Sequence, residues 1–148
     1  LYMSYKGIYR PSNPKKYKGD SQNIIYRSLW ERKFMNYCDL NENILEWASE
    51  EFWIPYLDPT TNRVRRYFPD FFIKYKDKDS NIRRSVIEVK PMRETLEQKA
   101  TKGKSRKTMI NESITYVKNQ AKWKAAKEFC ADRKLEFKIM TEKELGIR

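Results

Sequence analysis

The chain has 148 residues, enough for one domain with a substantial core and too few for two. Its 32 lysines and arginines exceed its 20 acidic residues, and the net charge of +12 favours a polyanionic partner such as nucleic acid over an anionic membrane. Histidine is absent, which excludes an imidazole base and zinc sites with histidine ligands. No apolar run approaches the roughly 20 residues that span a bilayer, so a soluble intracellular protein is expected.

Residues 1–21 are predicted to form a basic N-terminal arm, followed by a single domain over residues 22–148. Prolines and glycines in the arm indicate irregular structure. Its tyrosines Tyr5, Tyr9 and Tyr17 allow two interpretations, packing onto the body or stacking on unpaired bases, and packing is the more common outcome. The candidate nucleic-acid contacts of the arm are Arg10, Lys15 and Lys16.

Helical periodicity begins near Ser28 and continues to Asp39. Glu31 lies just off the apolar stripe of this predicted helix. The sequence Ser-Leu-Trp-Glu from residue 28 fits a capping box, which predicts that the Glu31 side chain caps its own helix start. The apolar stripe consists of Leu29, Trp30, Phe34 and Tyr37.

The middle of the chain has the residue pattern of β-strands separated by turns. Residues 45–56 predict one extended or bulged strand, and the turn at residues 58–62 leads to a second strand over residues 65–75. A further turn leads to a third strand over residues 83–89, which ends before Pro91. Three such strands predict an antiparallel meander.

Residues 92–108 combine basic side chains with Gly103 and lack an apolar stripe. They are either a solvated linker or a loop that becomes ordered on DNA, and the sequence does not separate these alternatives. The candidate DNA contacts in this loop are Lys102, Lys104, Arg106 and Lys107.

A long helix is predicted over residues 111–133 and is apolar on two sides, which indicates that it is sandwiched between other elements. A strand over residues 135–140 and a short helix capped by Thr141, with Glu144 in the capping-box position, complete the chain. Both cysteines, Cys38 and Cys130, are predicted to be buried free thiols. One apolar side consists of Ile110, Ile114, Val117, Ala121, Ala125 and Phe129, and the other of Trp123, Ala126 and Cys130.

Two acids and a lysine converge on the second and third predicted strands. Side chains alternate faces along a strand, so Glu88 and Lys90 point the same way, and Asp70 on the neighbouring strand can join them. Mg²⁺ prefers oxygen ligands such as carboxylates, and Mn²⁺ is expected to substitute for Mg²⁺. The sequence therefore predicts a Mg²⁺ site at Asp70 and Glu88, with the backbone carbonyl of Val89 as a neutral ligand. Lys90 would orient the attacking water or stabilise the transition state of phosphodiester hydrolysis.

The sequence Pro69-Asp70 followed by Glu88-Val89-Lys90 matches the PD-(D/E)xK nuclease motif. Such a short pattern also arises by chance in charged chains, where it is a solvated strand face. The catalytic interpretation is favoured because both parts lie on neighbouring predicted strands. It is also favoured because the elements follow the order αβββαβ, with an acid on the first helix.

The chain resembles the head-completion nucleases of tailed bacteriophages and, more distantly, the endonuclease subunit of heteromeric transposases, both members of the PD-(D/E)xK superfamily. The resemblance lies within residues 7–91, and the rest of the chain matches only in element order. The segments that carry it are Gly7-Ile8-Tyr9-Arg10-Pro11, Tyr26-Arg27-Ser28-Leu29-Trp30-Glu31, Trp47-Ala48-Ser49-Glu50-Glu51, Arg66-Tyr67-Phe68-Pro69-Asp70-Phe71 and Ile87-Glu88-Val89-Lys90-Pro91.

The resemblance implies a restriction-endonuclease-like α/β (α+β) fold, an αβββαβ core whose mixed sheet is flanked by helices. It implies that Glu31 belongs to the active site and binds metal or water, where the residues alone favour capping. It makes Lys122 a candidate phosphate contact, although an exposed lysine beside a buried tryptophan is the more common situation.

The resemblance also implies a setting, the trimming of packaged double-stranded DNA during phage head completion. Portal, neck or packaging proteins are then candidate partners. The implied location is the host cytoplasm during infection, with incorporation into the virion as a further option. Neither a membrane nor a small-molecule cofactor is expected.

Two other functions are compatible with the same sequence. A transposon-end or branched-DNA nuclease would share the chemistry and differ in its partner. A non-catalytic DNA-binding or neck protein with a nuclease fold would have lost metal binding, and the intact Glu88-x-Lys90 spacing argues against it.

Overall fold

The computed structural model describes residues 4–146, which form three helices, eight strands and two short 3-10 turns. The helices are α1 (Leu29–Leu40), α2 (Arg106–Asp132) and α3 (Glu142–Leu145). The strands are β1 (Ser4–Tyr9), β2 (Ile24–Ser28), β3 (Ile44–Ser49), β4 (Ile54–Asp58), β5 (Arg63–Tyr67), β6 (Phe71–Lys76), β7 (Ile82–Val89) and β8 (Glu136–Met140).

Four strands form a mixed sheet in the order β3-β6-β7-β8. β6 runs antiparallel to both β3 and β7, whereas β8 runs parallel to β7. A parallel neighbour needs a crossover connection, and α2 supplies it between β7 and β8. Together with α1 before β3, these elements follow the predicted αβββαβ order, so the predicted fold class is confirmed.

The prediction of an irregular N-terminal arm is wrong for Ser4–Tyr9, which form β1 and pair with β2 as an antiparallel ribbon. It is confirmed for residues 10–21, which contain only a short 3-10 turn at Pro14–Lys16 and an isolated bridge from Tyr17 to Trp47. The ring of Tyr26 lies so close to Gly7 that a side chain at Gly7 would clash with it. Tyr9 and Tyr17 are buried against Trp47, which confirms the packing interpretation for these two tyrosines. Exposed Tyr5 stacks on Tyr26 instead.

Helix α1 begins and ends within a residue of its predicted bounds. Trp30 and Phe34 are buried as expected, but the prediction is wrong for Leu29 and Tyr37, which are exposed. The helix presents Met35 and Cys38 to the core instead. The buried face of α1 is therefore rotated from the predicted stripe.

The predicted strands over residues 45–56 and 65–75 are each broken into two, so the simple meander is wrong. Glu50 ends β3 with a left-handed backbone, at a φ of 53°. Pro69 separates β5 from β6, and proline cannot donate a hydrogen bond to a sheet. Strands β4 and β5 leave the central sheet and form a separate two-stranded hairpin.

Helix α2 packs against β4 and β8, and its buried residues include Trp123, Ala126 and Cys130. The prediction that it is apolar and buried on two sides is wrong, because the N-terminal half of the other stripe is exposed. The exposed residues of that stripe are Ile110, Ile114 and Val117.

The remaining elements agree with the sequence or correct it in detail. Thr141 caps α3 with Glu144 in a complete capping box, as predicted. Cys38 and Cys130 are buried free thiols, also as predicted. The segment of residues 92–108 contains a short 3-10 turn at Met92–Thr95, and its last residues already belong to α2. None of the helices within residues 4–146 combines the length and apolar character needed to cross a membrane.

Candidate functional site

The β6–β7 pair brings the two acids of the sequence motif together. Phe71 pairs with Ile87 in the antiparallel register, and one further step of that register sets Asp70 opposite Glu88. The backbone N–H of Val89 donates to Oδ2 of Asp70 at 2.8 Å, which ties the two chain segments at this point. Asp70 therefore stands at the beginning of β6 and Glu88 near the end of β7, side by side.

Glu88 is almost fully buried, with 6% of its surface exposed. The Tyr67 hydroxyl donates a hydrogen bond of 2.8 Å to Oε2 of Glu88. Burial raises the pKa of the Glu88 carboxyl, while the charges of Lys90 and Lys122 and the Tyr67 hydrogen bond oppose that rise. The Glu88 carboxyl is therefore desolvated, and the nearby cations offset part of the effect of burial on its pKa.

The Asp70 carboxyl has the more strongly perturbed environment of the two. Burial raises its pKa well above the ordinary value, and the negative charges of Glu88 and Glu31 raise it further. The hydrogen bond from Val89 and the charge of Lys90 act in the opposite direction. Like charges held together in this way are a frequent property of catalytic and metal-binding sites.

Glu31 lies in the first turn of α1 and contributes to this same electrostatic cluster. Its backbone N–H donates to Oγ of Ser28, and its Oε1 accepts from the backbone N–H of Arg27 at 3.2 Å. Burial raises the pKa of the Glu31 carboxyl, and the charge of Glu50 adds to this rise. Only half of the predicted capping box is present: Ser28 caps α1, whereas the Glu31 side chain accepts from the N–H of Arg27, one residue before the N-cap. The charge of Glu31 acts on Asp70 at the same time.

Two lysines complete the cluster. Lys90 follows β7 directly, where its backbone N–H donates to Met140 at 2.9 Å. Lys122 extends from α2 and is half-buried, so the expectation of an exposed lysine is wrong. Its Nζ lies 5.9 Å from the ring centres of both Tyr56 and Tyr67. Burial lowers the pKa of the Lys122 ammonium, and the charge of Glu88 raises it.

The carboxylates are neighbours without forming a closed metal cage. Within residues 4–146, no three acidic or cysteine side chains converge closely enough to bind one ion together. Asp70 and Glu88 lie on paired strands, and Glu31 acts on both through its charge. The donors available at this place are all oxygen atoms.

Comparisons with known proteins identify the family to which the chain belongs. A family model described as TnsA-like endonuclease N terminal matches residues 41–142, which include both strands of the acidic motif. The head completion nuclease of Enterobacteria phage T4 is 38% identical over 143 residues, covering 95% of this chain and 93% of the relative. The chain belongs to the TnsA-like endonuclease family. The predicted resemblance is confirmed on both of its branches, and the chain is a nuclease of the endonuclease type.

The basic residues predicted in the N-terminal arm lie at the far end of α1 from Glu31. Nζ of Lys16 donates to the backbone carbonyls of Asp39 and Asn41 at 3.0 and 2.8 Å. Asp39 lies eight residues beyond Glu31 on α1, about 12 Å along the helix axis. Lys16 therefore ties the arm to the far end of α1, and Arg10 and Lys15, which precede it in the arm, are exposed.

The predicted DNA contacts after β7 form a second, separate group. Lys104 makes an ion pair with Glu112 at 3.0 Å, which engages its charge inside the protein. Its neighbours lie along the loop and at the first residues of α2 and are exposed. These are Lys102, Arg106 and Lys107.

Tyr67 is the site residue that the sequence does not reveal. It lies on β5, in the separate hairpin, and reaches Glu88 across a boundary between two sheets. Burial and the charge of Glu88 raise the pKa of the Tyr67 hydroxyl, so it remains a hydrogen-bond donor throughout the physiological range. Its aromatic character alone suggests a core residue, and only its hydrogen bond to Glu88 marks it as part of the site.

Proposed function

We propose that this protein is a metal-dependent DNA endonuclease that trims packaged DNA ends during completion of a phage head. The observation that carries the enzymatic part is the pairing of Asp70 and Glu88 across β6 and β7, with Lys90 two residues after the second acid. The biological setting is supported by the identity to the T4 head completion nuclease along nearly the whole chain.

The residues of the site are suited to a hard divalent cation. Their donors are carboxylate oxygens, which Mg²⁺ and Mn²⁺ prefer. Burial raises the pKa of Asp70, the charges of Glu88 and Glu31 raise it further, and a divalent cation would relieve the repulsion among these carboxylates. Asp70 and Glu88 would hold the ion, with Glu31 and the backbone carbonyl of Val89 as further oxygen donors. A bound Mg²⁺ supplies an activated water and neutralises charge on the phosphate.

The chain's own side chains have distinct roles in this proposal. Tyr67 fixes the orientation of the Glu88 carboxylate through its hydroxyl. Lys90 is a cation beside Glu88, and there it would position the attacking water or stabilise the negative charge that develops on the phosphate. Lys122 approaches Glu88 from α2 and would neutralise a phosphate oxygen of the bound DNA.

Plasmid cleavage tests the proposal directly. Purified wild-type protein is incubated with supercoiled plasmid in Mg²⁺, in Mn²⁺ and in EDTA, and the nicked and linear products are quantified on a gel. The expected result is cutting in either metal and none in EDTA. Lys90→Ala should lower the rate by about 100-fold or more, since it removes a charge acting on the transition state. Lys78→Ala, which removes an exposed lysine in the turn between β6 and β7, is the matched control and should cut normally.

The outcomes separate the alternatives. Cutting that survives both Asp70→Ala and Lys90→Ala would overturn the site assignment. A wild-type protein that neither cuts DNA nor is stabilised by Mg²⁺ or Mn²⁺ would instead be a non-catalytic DNA-binding or neck protein. Faster cutting of a four-way junction or a transposon-end duplex than of a blunt duplex would favour the branched-DNA or transposon-end function over end trimming.

A further inference from the structure

A row of cations leads away from the site along the boundary between the β4–β5 hairpin and α2. Lys122 is the first of these cations. The charges of Glu88 and Lys90 in the site act on its ammonium group, and so do those of Lys118 and Asp58. Lys118 precedes Lys122 by four residues on α2, so both lie on one helix face about 6 Å apart along the axis.

The hairpin contributes the other half of the row. Nζ of Lys118 lies 3.7 Å from Oδ2 of Asp58, and Nε of Arg65 donates to the same oxygen at 3.1 Å. Arg63 pairs with Asp58 in the β4–β5 register, and directly paired residues share a face of a sheet. We refer to Lys122, Lys118, Arg65 and Arg63 as the cationic seam.

The seam has more positive charge than its own acid can neutralise. Asp58 is fully buried and accepts hydrogen bonds from the Thr60 backbone and hydroxyl at 2.9 and 2.6 Å. Of the four cations, Lys118 and Arg65 contact this single carboxylate, and its charge also acts on Lys122. Lys118 and Arg65 still expose 35% and 45% of their side chains, and Arg63 is exposed as well. Asp58 thus anchors the seam to the protein and leaves a positive surface toward solvent.

We propose that the cationic seam binds the sugar–phosphate backbone of DNA on one side of the bond that the site cleaves. A continuous row of cations that begins at the acidic site matches the continuous negative charge of a nucleic-acid strand. The inference rests on the proposed function insofar as the substrate is DNA. It adds a path for that substrate, between the hairpin and α2, which is separate from the basic N-terminal arm and from the loop after β7.

The salt dependence of DNA binding tests the seam without cleavage. Dissociation constants for a duplex of about two helical turns are measured in EDTA over a series of salt concentrations for Arg63→Gln/Lys118→Gln. Each lost phosphate contact reduces the slope of log Kd against log salt by about 1, so the double variant should lose about 2. Asp58 keeps its bonds to Arg65 and Thr60 in this variant.

A matched control has the same net charge. Lys124→Gln/Lys127→Gln removes two exposed lysines from other faces of α2 and should retain the wild-type slope. Equal slopes for the seam and control variants would overturn the inference. If the melting temperature shows that the double variant is unfolded, Arg63→Gln alone replaces it, with an expected slope loss of about 1 and an unchanged slope again contradicting the seam.

The outcomes for the seam and for the proposed function remain distinguishable. A wild-type protein that cuts plasmid in Mg²⁺, while the seam variant binds like the control, overturns the seam alone. A protein that loses DNA affinity through the seam variant, yet cuts with neither Mg²⁺ nor Mn²⁺, supports the seam and overturns the enzymatic proposal alone.

Discussion

The Asp70→Asn substitution should stabilise the protein without metal and abolish its cutting. Asp70 lies among Glu31 and Glu88, and burial together with these two charges raises its pKa well above the ordinary value of 3.8. An asparagine removes the charge and still offers an oxygen to the Val89 N–H, which now donates to Asp70 at 2.8 Å. The substitution therefore removes repulsion and desolvation while keeping the hydrogen bond.

The sign and size of the effect follow from linkage. Because the folded chain binds the Asp70 proton more tightly than the unfolded chain, this group costs stability as pH rises from about 4 through its raised pKa, and costs nothing at lower pH. Each whole pH unit between the folded and unfolded pKa values corresponds to about 1.4 kcal/mol. In a chain near 150 residues, 1 kcal/mol moves the melting temperature by about 2–4 °C. The raised pKa thus predicts a gain of a few degrees in melting temperature for Asp70→Asn at pH 8.

The assay is thermal unfolding in EDTA, followed by circular dichroism from pH 3.5 to pH 9. The expected gain appears at neutral and alkaline pH and disappears near pH 3.5, where the wild-type carboxyl is already protonated. Asp79→Asn, in the exposed turn before β7, is the control and should change the melting temperature by less than about 2 °C at any pH. A variant that is less stable than the wild type at pH 8, or a gain independent of pH, would refute the electrostatic reasoning.

Three further substitutions separate the roles of other residues. Glu31→Gln keeps an acceptor for the Arg27 N–H and removes a charge that burial disfavours, so the melting temperature should not fall while plasmid cutting falls about 100-fold; unchanged cutting would indicate that Glu31 has only a structural role. Tyr67→Phe removes the donor to Glu88, which should cost about 1–3 kcal/mol in urea unfolding and move the acid limb of the pH–rate profile to higher pH. Trp123→Ala opens the contact between α2 and the hairpin and should cost about 3–5 kcal/mol, measured by the same urea titration; a loss below 1 kcal/mol would contradict that packing.

Local signals account for what the sequence predicted well. The capping residues Ser28 and Thr141 mark the beginnings of α1 and α3. Strand β7 is predicted correctly because a turn precedes it and Pro91 follows it. The face of α2 that is buried could not be read in this way. Ile114 and its neighbours have helical spacing, but the hairpin and β8 cover only the part of the helix around Trp123. Which face of a helix is buried depends on partners distant in sequence.

The same limit applies to the candidate site. The motif placed Asp70, Glu88 and Lys90 together because adjacent strands and alternating side chains are local geometry. Lys122 required the resemblance, since nothing within α2 distinguishes it from the other lysines on that helix. The contact of Tyr67 with Glu88 depends on where the hairpin lies against the sheet and α2. The same holds for the contact of Lys118 with Asp58 in the cationic seam. No periodic pattern of residues in the sequence specifies that position.

The break that the sequence missed at Pro69 is what lets the site form. In one continuous strand, Tyr67 and Asp70 are an odd number of residues apart and would point to opposite faces of the sheet. Because the chain leaves the strand geometry at Pro69, both residues act on Glu88, Tyr67 through its hydroxyl and Asp70 from the neighbouring strand. The hairpin that carries Tyr67 also carries Arg65 and Asp58, so the same break sets the cationic seam beside the acids. A restored β-strand at this point would therefore remove the hydrogen-bond donor to Glu88 and the proposed DNA path together.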